Sequence, residues 1–298
     1  MDKILILDGN NLAYSAYYAL ANMQYRGKST SIIYGLPNMV MGYISAFKPN
    51  YVVVVWDGGR DKERLKLLPE YKQTRKQLTP EQKDSFYREK DEAERLLTSL
   101  GIPQVRIEGM EADDLIYRHV NKSIKEGDRV IIISNDKDFT QLLQKRVKIF
   151  LPKSKEFVTH INCIKKWGVY PKQFVDYLSL IGDSSDNISH YPRIGPKKAI
   201  QILNMGIPNF LSKMPKTERA LFKSLLKRNR ELISLKRHSK KLKKVPEYKT
   251  VWEKHYPIDI PTIKAMCLEY GITTFPRKSF LKHFIKLKKD ETNKVQRV

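Results

Sequence analysis

Three short apolar runs constrain this chain more than any other feature: Lys3–Leu7, Tyr51–Trp56 and Arg129–Ser134. Runs of this length, rich in valine and isoleucine, read as strands buried on both faces, and such strands belong to parallel sheets covered by helices. Each run ends at or just before an aspartate: Asp8, Asp57 or Asp136. Shorter strands are expected at Gln104–Ile107 and Val147–Phe150, with helical spacing at Ile32–Phe47 and Asp113–Lys125. The alternation predicts an α/β fold with a doubly wound, mainly parallel sheet. In such sheets the functional crevice lies beyond the carboxyl ends of the strands, which is where the three aspartates fall.

Arg60–Leu100 breaks this pattern. It is highly charged, holds Pro69 and Pro80, and resumes amphipathic spacing over Gln82–Leu97. It reads as a helical excursion over the crevice, with an ordinary solvated crossover as the plain alternative. After Phe150 the character changes again. Pro171 opens a helix carrying Phe174, Tyr177, Leu178 and Ile181 on one face, as proline in a first helical turn does. A turn-rich stretch from Gly182 to Pro196 precedes further helices to about Leu235, then the basic run Lys236–Lys244 and Pro246. Ile260–Leu287 has helical spacing with aromatic residues among lysines. The expected division is a first domain at 1–170 with its helical excursion at about 60–100, a helical domain at 171–245, and a helical extension with a basic tail at 246–298.

Lys and Arg outnumber Asp and Glu by 56 to 32, a formal charge of +24. A surplus this large points to a polyanion, because neutralising phosphates releases counterions. A solvated basic surface or an anionic membrane are the rival readings. Cys163 and Cys267 form no disulfide framework and no thiolate zinc site, and the six histidines include no His-x-x-x-His pair. Any catalytic metal is therefore expected on oxygen ligands, which favours magnesium or manganese. The amino-terminal apolar run is too short for a signal sequence or a membrane span. The expectation is a soluble, cytoplasmic protein that engages no membrane.

Against the basic background, nine carboxylates gather in short motifs: Asp8, Asp57, Glu111, Asp113, Asp114, Asp136, Asp138, Asp183 and Asp186. Glu111 and Asp114 are three apart, on one face of a helix and near its start, where the dipole favours negative charge. Singly, each acid reads equally well as a helix cap or turn former. Together at one crevice they repel one another and take up protons unless a divalent cation intervenes. Two such ions roughly 4 Å apart suit phosphodiester hydrolysis.

In order along the chain, these segments resemble the 5′-nuclease family: flap endonucleases, bacteriophage 5′-exonucleases and the 5′-nuclease domain of bacterial DNA polymerase I. The matching stretches are Leu7-Asp8-Gly9-Asn10-Asn11-Leu12, Arg64 through Leu68-Pro69-Glu70-Tyr71-Lys72 to Arg75, and Gly109-Met110-Glu111-Ala112-Asp113-Asp114. They continue with Ser134-Asn135-Asp136-Lys137-Asp138-Phe139, Gly182-Asp183-Ser184-Ser185-Asp186-Asn187-Ile188 and Ile194-Gly195-Pro196-Lys197-Lys198-Ala199. The resemblance implies a PIN-like domain with a helical arch, followed by a helix–two-turn–helix, SAM-like DNA clamp. It implies two metal ions, magnesium with manganese as substitute. Asp8, Asp57, Glu111, Asp113 and Asp136 would surround the tighter ion; Asp138, Asp183 and Asp186 would serve the second, with Asp114 bridging or supporting. Lys72 and Arg75 match basic residues of the family's arch, expected with Asp136 to act in catalysis by stabilising charge on the scissile phosphate. Plain steering of the nucleic-acid backbone is the alternative for both. Arg64, Lys72, Arg75, Gly195, Lys197 and Lys198 are expected to contact nucleic acid.

The family's clamp also binds a potassium ion on main-chain oxygens. Here Ser189-His190-Tyr191-Pro192-Arg193 replaces a stretch that usually carries proline and two glycines, which alters that turn. Asn135 replaces a glycine, a mild change where left-handed backbone is wanted, since Asn tolerates it. No polymerase domain follows, so the chain resembles the stand-alone bacteriophage enzymes more than the fused bacterial one. The expected substrates are 5′ flaps, nicks and duplex ends of DNA, with RNA primers in RNA–DNA hybrids as a subtype. The expected protein is a monomer working beside replication proteins. A binding protein with a decayed metal site and a PIN-type ribonuclease stay open as rivals.

Overall fold

The computed structural model describes residues 1–74, 78–240 and 257–295. Its first strand, β1 (Lys3–Asp8), is buried from Ile4 onward. It passes directly into α1 (Gly9–Ala19), because the Asp8 side chain accepts from the Asn11 amide and caps the new helix. The short hairpin β2 (Gln24–Tyr25) and β3 (Lys28–Ser29) leads to α2 (Ser31–Phe47) and β4 (Tyr51–Val55). Then come α3 (Lys62–Leu67), α4 (Pro80–Ser99), β5 (Gln104–Val105), α5 (Ala112–Lys125) and β6 (Arg129–Ile133). A 3₁₀ turn at Lys137–Leu142 precedes β7 (Val147–Leu151) and β8 (Glu156–Val158).

The strand order is β5-β4-β1-β6-β7-β8, parallel throughout except for β8, which runs antiparallel on β7. The chain leaves β1 toward β4 on one side and returns to β6 on the other. The order therefore reverses at β1, and a crevice opens beyond its carboxyl end. Alternate residues feed two cores. Leu5, Leu7, Val52 and Val54 face α2 and α4; Ile4, Ile6, Val53 and Val55 face α5 and the 3₁₀ turn.

The excursion at 60–100 is helical as expected, but α4 is anchored rather than free. A Thr79–Gln82 capping box starts it, and Phe86, Ala93, Leu96 and Leu97 bury one stripe against α2. Glu89, fully buried, accepts from the Ile32 amide at 2.8 Å and thereby caps α2 from across the core. Two sequence expectations fell short: the strand at Gln104–Ile107 is only two residues long, and the edge strand β8 gave no clear pattern.

The helical region contains α6 (Cys163–Trp167), a 3₁₀ turn at Pro171–Gln173, α7 (Phe174–Ile181) and a 3₁₀ turn at Ser184–Asp186. It continues with α8 (Pro196–Met205), α9 (Ile207–Lys213), α10 (Lys216–Ile233) and α11 (Leu235–His238). Its core joins Phe174, Tyr177, Leu178, Ile188, Ala199, Ile202, Phe222 and Leu226, and it also takes in Leu68 and Tyr71 from the segment after α3. The last helices, α12 (Ile260–Glu269) and α13 (Lys278–Val295), pack back onto the first core through Ile263, Met266, Phe275, Phe280 and Phe284. The extension expected at 246–298 thus completes the first domain's core, an arrangement set by contacts across more than two hundred residues of sequence. Among the described residues, no helix is long and apolar enough to cross a membrane.

Candidate metal centre and nucleic-acid interface

Four backbone caps place the crevice acids. Asp8 holds the Asn11 amide with one oxygen and accepts from Ser134 Oγ at 2.8 Å with the other. Asp57 accepts from the Ala112 amide at 2.7 Å, pinning the start of α5, and from Asn10 Nδ2 at 2.6 Å. Asp136 caps its 3₁₀ turn by accepting from the Asp138 amide at 2.8 Å, and Asp183 accepts from the Ser185 amide and hydroxyl at 2.9 and 2.6 Å. The modest reading of each acid as a cap is therefore true of these four. It also explains their precision, because a side chain fixed to backbone cannot swing out of the crevice. Two glycines permit the approach. A Cβ on Gly9 would sit 2.5 Å from the Trp56 ring, and Gly182, at φ +69°, would place one 2.3 Å from the Ile188 carbonyl.

The crevice acids feel one another strongly. Burial and then the neighbouring Asp57 push the Asp8 carboxyl up to about 7. Asp113 is held well above the carboxylate range by burial, then by Asp136, with Asp8 and Asp57 adding to the effect. Asp138 is raised by burial, then by Asp136, Asp183 and Asp186. These influences define two overlapping groups. Asp8, Asp57, Asp113 and Asp136 form one; Asp136, Asp138, Asp183 and Asp186 form the other. Asp183 is the exception: although burial opposes it, hydrogen bonds from Ser185 and Lys137 hold its carboxyl low, with Lys137 Nζ at 2.9 Å.

The chemistry of this donor set suits a divalent cation, although among the described residues only Asp61, Glu63 and His238 bring three ligand atoms within 4.8 Å of one another. The crevice groups are all carboxylates, which suit a hard ion, and Asp138 Oδ1 is a buried acceptor with no hydrogen-bond donor. Acids that would otherwise carry protons become good ligands once a cation replaces those protons.

Two expected site residues belong elsewhere. Arg64, expected on nucleic acid, is only 2% exposed. Its Nη1 and Nη2 donate to the two oxygens of Asp114 at 2.6 and 3.0 Å, and its Nε donates to the Leu232 carbonyl at 3.0 Å. A buried fork committed to a carboxylate cannot reach a solvent-side phosphate. Asp114, expected to bridge or support the metals, is fully buried on that fork and turned away from the crevice acids. The helix explains the split, since consecutive residues of α5 point about 100° apart.

Glu111 stands between the two sets. Its Oε2 receives Lys72 Nζ at 2.8 Å, Arg64 Nη1 at 3.2 Å and Tyr71 OH at 3.3 Å. Although burial opposes it, Lys72 and Arg64 hold its carboxyl low. Any metal contact by Glu111 therefore falls to Oε1. Lys72 adopts left-handed backbone, φ 59°, and its amide donates to the Asp186 carbonyl at 3.2 Å. Non-glycine strain of this kind persists only where the surroundings impose it. Lys72 shares an open cleft with Asn10, Tyr14, Asp57, Lys83, Tyr87 and Glu111. Arg75 lies outside the described residues, as does the Lys241–Lys244 part of the basic run.

Gly195 precedes α8, whose first turn carries the exposed Lys197 and Lys198. Asn135 does not use left-handed backbone. Its side chain instead accepts from the Lys153 amide and donates to Asn11 Oδ1 at 3.1 Å, tying β6 to α1. Sequence reasoning missed Asn10, which braces Asp57, and Gln141, which brackets the α10–α11 junction by donating to the Ile233 carbonyl at 3.3 Å and accepting from the Leu235 amide at 3.1 Å. Asn10 sits inside a quoted motif and was legible there; Gln141 had no local signal.

Residues 3–168 match the family model described as "5'-3' exonuclease, N-terminal resolvase-like domain", and residues 169–256 match "5'-3' exonuclease, C-terminal SAM fold". The chain belongs to the 5′-3′ exonuclease family. A 5′-3′ exonuclease of Buchnera aphidicola is 32% identical over 264 residues, covering 87% of this chain and 89% of that protein. One from Aquifex aeolicus is 35% identical over 222 residues, covering 74% and 75%. A crystal structure of the bacteriophage T5 D15 flap endonuclease with DNA and metal ions shares the fold, with a TM-score of 0.66 and 21% identity over 96% of this chain and 98% of that one. This 5′-3′ exonuclease is thus a nuclease with a resolvase-like domain and a SAM-fold domain, as the sequence resemblance implied.

Proposed function

We propose that this nuclease hydrolyses phosphodiesters near the 5′ end of branched or nicked DNA with two magnesium ions, manganese being able to substitute. Asp8, Asp57, Asp113 and Asp136 hold one ion, with Glu111 Oε1 beside it; Asp138, Asp183 and Asp186 hold the other, near Asp136. The observation that carries this reading is the contrast at α5, where Asp113 faces other acids while Asp114 faces an arginine. Bound ions supply the positive charge that neutralises phosphate oxygens and eases deprotonation of water. Water attacks phosphorus, the 3′ oxygen leaves, and the product carries a 5′ phosphate. Lys72, on the cleft side of Glu111, places a point charge where negative charge grows on the phosphate, and Arg75 is assigned the same task. Gly195, Lys197 and Lys198 at the α8 amino terminus take a duplex phosphate, where free amides and lysines converge.

The T5 flap endonuclease, crystallised with DNA and metal ions, supports the DNA reading. The formal charge of +24 supports it independently. Removal of flaps or primers during replication, in the cytoplasm and as a monomer, is the task this chemistry suits. On the turn before α8, where a potassium ion would lie against main-chain oxygens, Asn229 Nδ2 already engages the Ser189 carbonyl at 2.7 Å. The test compares 5′-labelled flap DNA, nicked duplex, RNA–DNA hybrid and single-stranded RNA under magnesium. Flap and nick cleavage is expected to dominate; equal cutting of all four removes the claim of structure selectivity.

A further inference from the structure

A buried chain of ionic groups runs from the helical domain to the cleavage centre. It begins at His238 on α11, which is fully buried. Its Nε2 lies 2.6 Å from the Glu231 carbonyl. Its Nδ1 lies 2.8 Å from Asp61 Oδ2, an ion-pair distance, though off the line of a straight hydrogen bond. Asp61 caps α3 by accepting from the Glu63 amide at 2.8 Å and stands 3.5 Å from Arg64 Nη1. Arg64 then reaches Asp114 and Glu111, and Glu111 reaches Lys72. Arg64 also donates to the Leu232 carbonyl at the end of α10, so the α10–α11 junction is clasped twice by the residues that set Glu111.

The charges make sense only as a set. Asp61, Glu111 and Asp114 are three buried carboxylates, and Arg64 and Lys72 are two cations among them. Both ring nitrogens of His238 face oxygens, so the ring links this set to the α10–α11 junction by geometry. Asp61, Glu63 and His238 also lie within 4.8 Å of one another, close enough to ligate a divalent ion. Arg64 already stands beside Asp61, however, and a further cation there is repelled.

We propose that His238 is a positioning residue for cleavage: through Asp61 and Arg64 it holds Glu111, and with it Lys72, in the place the reaction needs, so that the cleavage centre is set only when the helical domain is seated. The assignment rests on Lys72 acting at the scissile phosphate. Losing a group that orients the ligands of a metal centre typically costs about 10- to 100-fold in metal affinity or activity.

The test uses the full chain with 5′-flap DNA and magnesium, in single turnover, at a temperature where circular dichroism shows each variant folded. His238→Ala is expected to slow cleavage about 10- to 100-fold with flap affinity unchanged. His238→Asn, which keeps a donor near the Nδ1 position, is expected to restore most of the rate. His238→Ala should add nothing in a Lys72→Ala background. A wild-type rate for folded His238→Ala, or equal slowing with and without Lys72, overturns the proposal. Calorimetry that finds an additional divalent site lost in His238→Ala overturns it in favour of a metal site. If Lys72→Ala itself cuts at the wild-type rate, the Lys72 reading is what fails, and the proposal built on it falls with it; if Lys72→Ala is slow, equal slowing by His238→Ala in both backgrounds overturns the His238 proposal alone.

Discussion

Asp113 and Asp114 are adjacent in sequence and burial raises both carboxyls, yet their neighbours differ: other acids crowd the one, and an arginine binds the other. Asp113 joins the crevice, where acids face acids and burial with mutual repulsion drives carboxyls upward. Asp114 joins a cluster that already holds its cation, with Arg64 bound by both guanidinium nitrogens. The first cluster is unstable as it stands and is suited to foreign charge. The second is self-sufficient and braces the first. Acidity alone does not tell the two clusters apart; the cation bound to Asp114 does.

The largest expected effect tests the first cluster. Asp136→Asn, at the overlap of the two crevice groups, is expected to reduce cleavage by roughly 10²- to 10³-fold, the cost of losing a single preorganised charge-stabilising group. Flap binding, measured by fluorescence anisotropy, should persist. Cleavage at the wild-type rate would remove Asp136 from the centre.

Next, Arg64→Met tests the second cluster. It strands Asp114 beside Glu111 and Asp61, and leaving a buried charge uncompensated costs about 3–5 kcal/mol. Urea unfolding should show the loss. A stability change below about 1 kcal/mol, the range of exposed pairs, would mean that the fork is not buried as described.

Asp138→Asn should behave in the opposite way. In metal-free protein it removes one repelling acid and is expected to raise the melting temperature, while added magnesium should stabilise wild type more than the variant. A lower melting temperature without metal would undo the contrast between the clusters.

The effect with the least reach at neutral pH concerns a buried group outside both clusters. His119, fully enclosed on α5, is pushed down to about 3 by burial and then by Lys122. Its folded pKa is below the unfolded value near 6.5, so the unfolded chain binds the proton first. Stability is therefore full above about 6.5 and declines as pH falls toward 3, by up to about 1.4 kcal/mol per pH unit for this one group. His119→Gln should flatten that slope in the 6.5-to-3 window by the same amount, and an unchanged slope would show that His119 is not the group responsible.

Much of this was legible in the residues. The apolar runs that became β1, β4 and β6 need no partner to be identified, since each is largely apolar and is followed within three residues, or closed, by an acid. The motif acids were likewise visible, because Asp8, Asp57, Asp136 and Asp183 each sit where a cap is needed. Arg64 was misread because its motif neighbours are basic and near the arch; only the fold shows that it points inward. His238 and Gln141 could not have been found, since their partners lie 177 and 94 residues away in numbering.

By itself, the order of residues determined the parallel sheet, the crevice at its carboxyl end and the stock of acids available to fill it, because strand burial and capping are short-range consequences of side-chain type. The tertiary structure alone decided which acid received a cation. It also decided that the last helices close the first core through Phe275, Phe280 and Phe284, and that Asp61, Arg64 and Glu111 are tied to the α10–α11 junction by His238 and the Leu232 carbonyl. Those outcomes depend on which surfaces meet in space, and electrostatic pairing depends on distance, not on sequence separation.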